Sequence, residues 1–246
     1  MTMGTQKKKI LWLELAGFVL TVVVGTAMHF GLELSGFDHR WAWLFPTNES
    51  PWEHLKLSFY PVVFWSLILY AILRRRRALQ PSAPGSGTNN FWFARLLGAY
   101  VAIMITVVSW SLQHQLMGRS ILAVDISMMY VGLLASALLC WRLLIAPPLR
   151  HPRGLSRCGI TGLTIFLTSF MLFSYCVPIS LLWMDRPNQC FGIIECHLLF
   201  NRHLPTHCLD PTTIPSLPGP FGFVPLVLVG SLLVVCFIAG RHRKSK

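Results

Sequence analysis

FWFARLLGAYVAIMITVVSWSL, residues Phe91–Leu112, holds a single charged side chain, Arg95, in a run long enough to cross a bilayer. A hydrocarbon core is roughly 30 Å thick and takes about 20 helical residues to span. Backbone amides find no water there, so such a run is helical unless it alternates every second residue as a barrel strand does. It shows no such alternation. The same reading extends outward to Ile10–Phe30, Leu55–Leu73, Ile121–Ile145, Ile160–Trp183 and Phe223–Gly240, of which Leu55–Leu73 and Phe223–Gly240 are near the short limit. The expected fold class is therefore all-α: one polytopic transmembrane bundle of six spans over residues 1–246.

Composition agrees. The chain is 54% hydrophobic and 12% charged, with a mean hydropathy of +0.56. Soluble domains carry about 25% charged residues. A net charge of +12 would suggest nucleic acid in a soluble protein. Here the basic residues lie in short blocks between apolar runs, so the partner they imply is the lipid bilayer and not nucleic acid. Lys7–Lys9, Arg74–Arg77, Arg95, Arg142, Arg150, Arg153, Arg157, Arg241, Arg243, Lys244 and Lys246 fall on one side, sixteen residues against five on the other. The positive-inside rule places that side, and both termini, in the cytosol. Lys7–Lys9 followed by an apolar run and Gly25-Thr26-Ala27 has the outline of a secretory signal, but the run exceeds the usual apolar length, so an uncleaved anchor is expected.

The longest connection, Met184–Gly222, is expected on the non-cytosolic side. Its Cys190, Cys196 and Cys208 suit one disulfide of undetermined pairing if the compartment is oxidising. Cys140, Cys158, Cys176 and Cys236 lie in or near spans and read as small buried apolar residues. His203 and His207 have the spacing of a helical metal pair, but Pro205 between them argues against a regular helix. There is no internal repeat and no Walker, GxSxG, HExxH or CxxC motif.

The polar groups concentrate elsewhere. Asn48-Glu49-Ser50-Pro51-Trp52-Glu53-His54-Leu55-Lys56 places two carboxylates and an imidazole where a hydrophobic helix begins. Ser50 fits an N-cap, Pro51 fits the first helical position, and Glu53 can reach back to complete a capping box. Glu49 and His54 have no such local role. Trp41, Trp43 and Trp52 read as an interfacial aromatic belt. His29 and Glu33, four apart, would share one face at the outer end of span one. His114 ends span three, and Asp125 lies about one turn into span four, where a carboxylate should face the bundle interior.

Bundle packing could bring these groups together. His29, His54, His114 and Asp125 are then candidate ligands for a divalent metal such as zinc, and Glu49, Glu53 and His54 candidates for general acid–base work. The leading functional expectation is a membrane-embedded, metal-dependent hydrolase of a lipid-like substrate, with its site at the non-cytosolic face. The alternatives are a non-catalytic protein that assembles with a membrane partner, and a proton-coupled small-solute transporter in which Asp125 and His29 titrate.

The Asn-Glu-Ser-Pro-Trp-Glu-His-Leu-Lys string resembles the signature of an uncharacterised family of small polytopic membrane proteins, a domain of unknown function. That family's pattern has a histidine late in span one, then Pro-x-Asn-Glu-Ser-x-Trp-Glu-His-x-Lys, an Asp-Ile pair in a middle span and an Asp-Pro near the last. The matching residues are His29, Pro46 through Lys56, Asp125-Ile126 and Asp210-Pro211. The chain departs from the family's compact Asp-Pro-x-Thr-Gly-x-Tyr-Gly turn, having Asp210-Pro-Thr-Thr and only later Gly219-Pro-Phe-Gly222. The resemblance implies a multi-span helical fold and supplies no activity.

Overall fold

The computed structural model describes residues 3–48, 50–75, 90–117, 121–147, 152–175, 177–178, 216–217 and 224–241. These form helices α1 (Met3–Met28), α2 (Gly31–Leu34), α3 (Pro51–Arg75), α4 (Phe91–Met117), α5 (Leu122–Ile145), α6 (Pro152–Tyr175) and α7 (Val224–Arg241). A 3-10 turn occupies His39–Trp41, and strands β1 (Val177–Pro178) and β2 (Ser216–Leu217) pair in parallel. Five helices, α1, α3, α4, α5 and α6, are long and apolar enough to cross a membrane. The sixth expected span corresponds to α7, an 18-residue helix with a shorter apolar stretch. The connection 184–222, with its three cysteines and two histidines, lies outside the described residues apart from β2.

The boundary that moves most is that of the fifth span. The apolar run suggests Ile160–Trp183, whereas α6 covers Pro152–Tyr175. Pro152 opens the helix because the first turn does not need its missing N–H, and Arg153 and Arg157 then ride on a turn that precedes the apolar run. At the other end the chain is already extended at Val177–Pro178, where proline could not continue a helical hydrogen-bond ladder. In the same way α3 begins at the signature itself, four residues before its apolar run, because Ser50 caps it.

Consecutive long helices alternate in direction, as their contacts show. Trp65 abuts Gly17 and Leu57 abuts Gly25, so α1 and α3 run antiparallel. Cys140 reaches Ala94 and Gly132 abuts Ala102, which sets α4 against α5. Trp92 and Leu96 abut Gly159 and Gly162, and Tyr100 meets Phe166, so α6 runs parallel to α4. Each glycine stands where a side chain would collide with the neighbouring helix, and this lets the backbones approach closely. Such small-residue contacts are how apolar helices gain packing energy when the surrounding solvent is apolar too. Between them lies an aromatic core of Trp52, Phe59, Phe166 and Phe170.

The end of the bundle that carries Lys7–Lys9, Arg74, Arg75, Arg142 and Arg157 also contains a buried ion pair. Arg95 of α4 donates through both terminal nitrogens to the two carboxylate oxygens of Glu14 of α1, and each residue is about 2% exposed or less. Phe91 covers the guanidinium at 5.0 Å. The two charges that the sequence places singly inside apolar runs thus neutralise one another. A bidentate arginine fork suits a carboxylate, and neither charge is left unpaired in an apolar interior. Arg95→Met, which strands the Glu14 carboxylate, is expected to destabilise the fold by about 3–5 kcal/mol. Glu14→Gln combined with Arg95→Met should recover most of that loss in thermal unfolding of the detergent-solubilised chain. Equal unfolding midpoints for the wild type and Arg95→Met would show the pair to be dispensable.

Candidate functional site

At the opposite end, the signature locks a loop onto the bundle. Asn48 Oδ1 accepts from the Ser50 amide (2.8 Å), and Ser50 Oγ accepts from the Glu53 amide (3.4 Å), which is the expected N-cap. The other half of the capping box differs. The Glu53 carboxylate turns instead to Thr47, accepting from its amide and its hydroxyl at 2.9 Å each, and to the Lys56 ammonium at 2.5 Å. The reason is electrostatic: a charged ammonium one turn away is a stronger partner for a buried carboxylate than a neutral amide.

Lys56 is fully buried. Its Nζ also donates to Ala42 O (2.7 Å), Phe45 O (3.4 Å) and Ser174 Oγ (2.7 Å). One ammonium therefore ties together the 42–47 loop, the start of α3 and the end of α6. Trp52 is also fully buried, stacked on Phe170 at 4.8 Å and Phe173 at 5.6 Å. Its expected place in an interfacial belt is corrected, because the first turn of α3 faces α6 and not the rim. Trp41 does lie on the rim, 44% exposed. Glu49 lies outside the described residues, and Glu53 is held within this polar knot.

His54 takes a different direction. It is half-buried on the second turn of α3, and its Nδ1 lies 2.9 Å from Ser50 O. A carbonyl oxygen can only accept, so Nδ1 carries the proton. In the neutral ring Nε2 is then the basic nitrogen. The His29 ring stands beside it, with centroids 5.2 Å apart and planes at 45°.

The helix expected to carry both His29 and Glu33 ends before either residue. Helix α1 ends at Met28, and His29 N and Phe30 N bond back to Thr26 O and Ala27 O in a tighter turn. Gly31, packed against the Phe45 ring, then opens α2. His29 thus lies in the turn between α1 and α2, and its ring meets that of His54 on α3.

His114 lies near the end of α4 and Asp125 in the first turn of α5. The His114 ring meets Trp110 at 4.3 Å. Gln113 donates to Asp125 Oδ1 (2.7 Å) and accepts from the Ile121 amide (2.9 Å), so it clasps the end of α4 to the start of α5. Of the four candidate ligands, contacts join His29 and His54. Among the described residues no group of three or more His, Cys, Asp or Glu is arranged to hold a metal ion.

The sequence reading missed the Glu53–Lys56 pair. The signal was present as an i, i+3 spacing of opposite charges, but counting Lys56 as a rim cation concealed it. Lys56→Met should lower the unfolding midpoint sharply, because it leaves Glu53 and two loop carbonyls short of a donor. His54→Gln, which keeps a donor for Ser50 O, should change it little. Thermal unfolding in detergent checks both, and comparable losses for the two variants would contradict this division of roles.

Comparison with curated proteins gives no match, and neither does comparison with solved structures. A family model described as a family of unknown function, DUF6512, matches residues 1–193, a range that contains the signature and the histidine pair and stops before α7. The chain belongs to the DUF6512 family.

Proposed function

We propose that this chain is a multi-pass integral membrane protein of six spans with both termini in the cytosol, and that the His29–His54 pair is an acid–base centre at its non-cytosolic face. The membrane reading is supported by the five long apolar helices and by the outward faces of the bundle. Val19 and Val23 of α1, Phe64 and Leu67 of α3, Val131 and Leu138 of α5, and Val227 and Val234 of α7 are all exposed. Exposed apolar surface on this scale suits lipid. Alternating helix directions and the sixteen-to-five division of basic residues support the orientation, with α7 completing an even number of crossings.

The observation that carries the acid–base reading is the bond between His54 Nδ1 and Ser50 O. A backbone carbonyl that fixes the tautomer and orientation of a histidine is what a general base needs. Here the rest of the signature supplies that rigidity. The adjacent His29 gives a proton taken up at His54 a neighbouring acceptor. The chemistry this arrangement serves best is hydrolysis of a lipid-like substrate, in which His54 Nε2 takes a proton from the attacking water and returns it to the leaving group.

The test uses the full chain in lipid nanodiscs, incubated with ester-, amide- and phosphodiester-linked lipids, with products read by mass spectrometry. One class should be cleaved, and His54→Gln should slow cleavage by about 100-fold or more with the unfolding midpoint kept. Wild-type protein that cleaves none of them, or His54→Gln at wild-type rate, would overturn the reading. Proton-linked solute flux from the same preparation would favour a carrier.

A further inference from the structure

The exposed and buried faces of α6 and α7 lead to a second site at the basic end of the bundle. Along α6 the buried positions Leu155, Cys158, Phe166, Phe170 and Phe173 form one stripe. Along α7 Leu226, Val229 and Leu233 form another, at alternating steps of three and four. The next step on that stripe is Cys236, half-buried against the same core. Each helix thus turns a cysteine toward its neighbour.

Register brings the two cysteines to one level. Tyr100 of α4 touches both Phe166 of α6 and Gly230 of α7, while Cys158 reaches Leu232 O at 3.9 Å. Moving back along α6 therefore moves forward along α7, so the two helices run antiparallel. Leu232 is one turn before Cys236 on α7, so this register sets Cys236 beside Cys158. Both thiols are free.

We propose that Cys158 and Cys236 form a peroxide-sensitive dithiol whose oxidation to a disulfide fastens α7 to α6. The inference is independent of the hydrolase reading. One sulfur attacks a peroxide oxygen, and the O–O bond breaks to give a sulfenic acid and water, or an alcohol if the peroxide is a lipid hydroperoxide. The second thiol attacks that sulfur. The S–S bond forms, the S–O bond breaks, and the oxygen leaves as water with the thiol proton. Two thiols lose two electrons in total and one peroxide gains them.

The oxidant follows from the surroundings. Apolar neighbours exclude charged oxidants such as glutathione disulfide. A neutral peroxide can reach the pair either from lipid or from the aqueous rim. Fastening matters most for α7, because it packs mainly on α6, with a smaller contact to α4.

The experiment treats the full chain in membranes with hydrogen peroxide, with cumene hydroperoxide, or with glutathione disulfide. Non-reducing digestion and mass spectrometry then search for a peptide linking residues 158 and 236. Both peroxides should yield it and glutathione disulfide should not, and the faster peroxide identifies the source as aqueous or lipid. Cys158→Ser and Cys236→Ser should each abolish the link. In wild-type protein, peroxide should also raise the unfolding midpoint, and a reductant should reverse the rise. The proposal is overturned if both thiols remain open to alkylation after peroxide, or if each is oxidised further without linking.

Discussion

An ammonium ion buried among apolar helices must have an acceptor for every proton, and Lys56 meets that requirement with groups from three parts of the chain. Glu53 supplies the opposing charge, Ala42 O and Phe45 O bring in the loop, and Ser174 Oγ brings in α6. Removing either Glu53 or Lys56 leaves the other as a buried charge that water does not compensate. Much of that end of the molecule follows from this constraint. The loop is held down, Thr47 is positioned to bind Glu53, and Trp52 is pressed onto Phe170 and Phe173. His54, one residue beyond Glu53 on the same rigid turn, is fixed by Ser50 O as a consequence.

The two ends of the bundle are built on one principle with different parts. At the basic end Arg95 and Glu14 join α4 to α1, and Asn90 caps the end of α5 through Leu143 O and Pro147 O. At the other end Glu53 and Lys56 join α3 to α6 and the loop. Between the two polar layers the helices meet through glycines, aromatic rings and aliphatic side chains. Directional bonds thus set the register, and close packing fills the space between. The histidine pair sits just outside the second polar layer, where the end of α1 meets the start of α3.

The helices were legible because a long apolar run has a single way to satisfy its backbone. The reading of Ile121–Ile145 differs from α5 by one residue. It failed by eight residues at α6, since hydrophobicity reports where lipid would begin and not where a helix begins, and Pro152 and Arg153 were taken for loop. The N-cap at Ser50 was also legible, being a local bond between residues three apart. The carboxylate of Glu53 was misassigned because its partner choice depends on Thr47 and on a lysine whose burial is decided by α6. His29 and Glu33 were paired on a helix that ends before either residue.

The sequence by itself determined the all-helical class, the helices long enough to cross a membrane and the likeness to an uncharacterised family. Each of these is a property of a continuous stretch, so periodicity, length and a short motif suffice to read it. Tertiary structure decided which charges are paired, which histidines are neighbours and which cysteines come to one level. His29 and His54 are separated by a loop, and Glu14 and Arg95 by a whole helix, so no local spacing encodes their contact. It arises because helices of alternating direction bring distant residues to one level, and because an unpaired charge or donor there is too costly to leave alone.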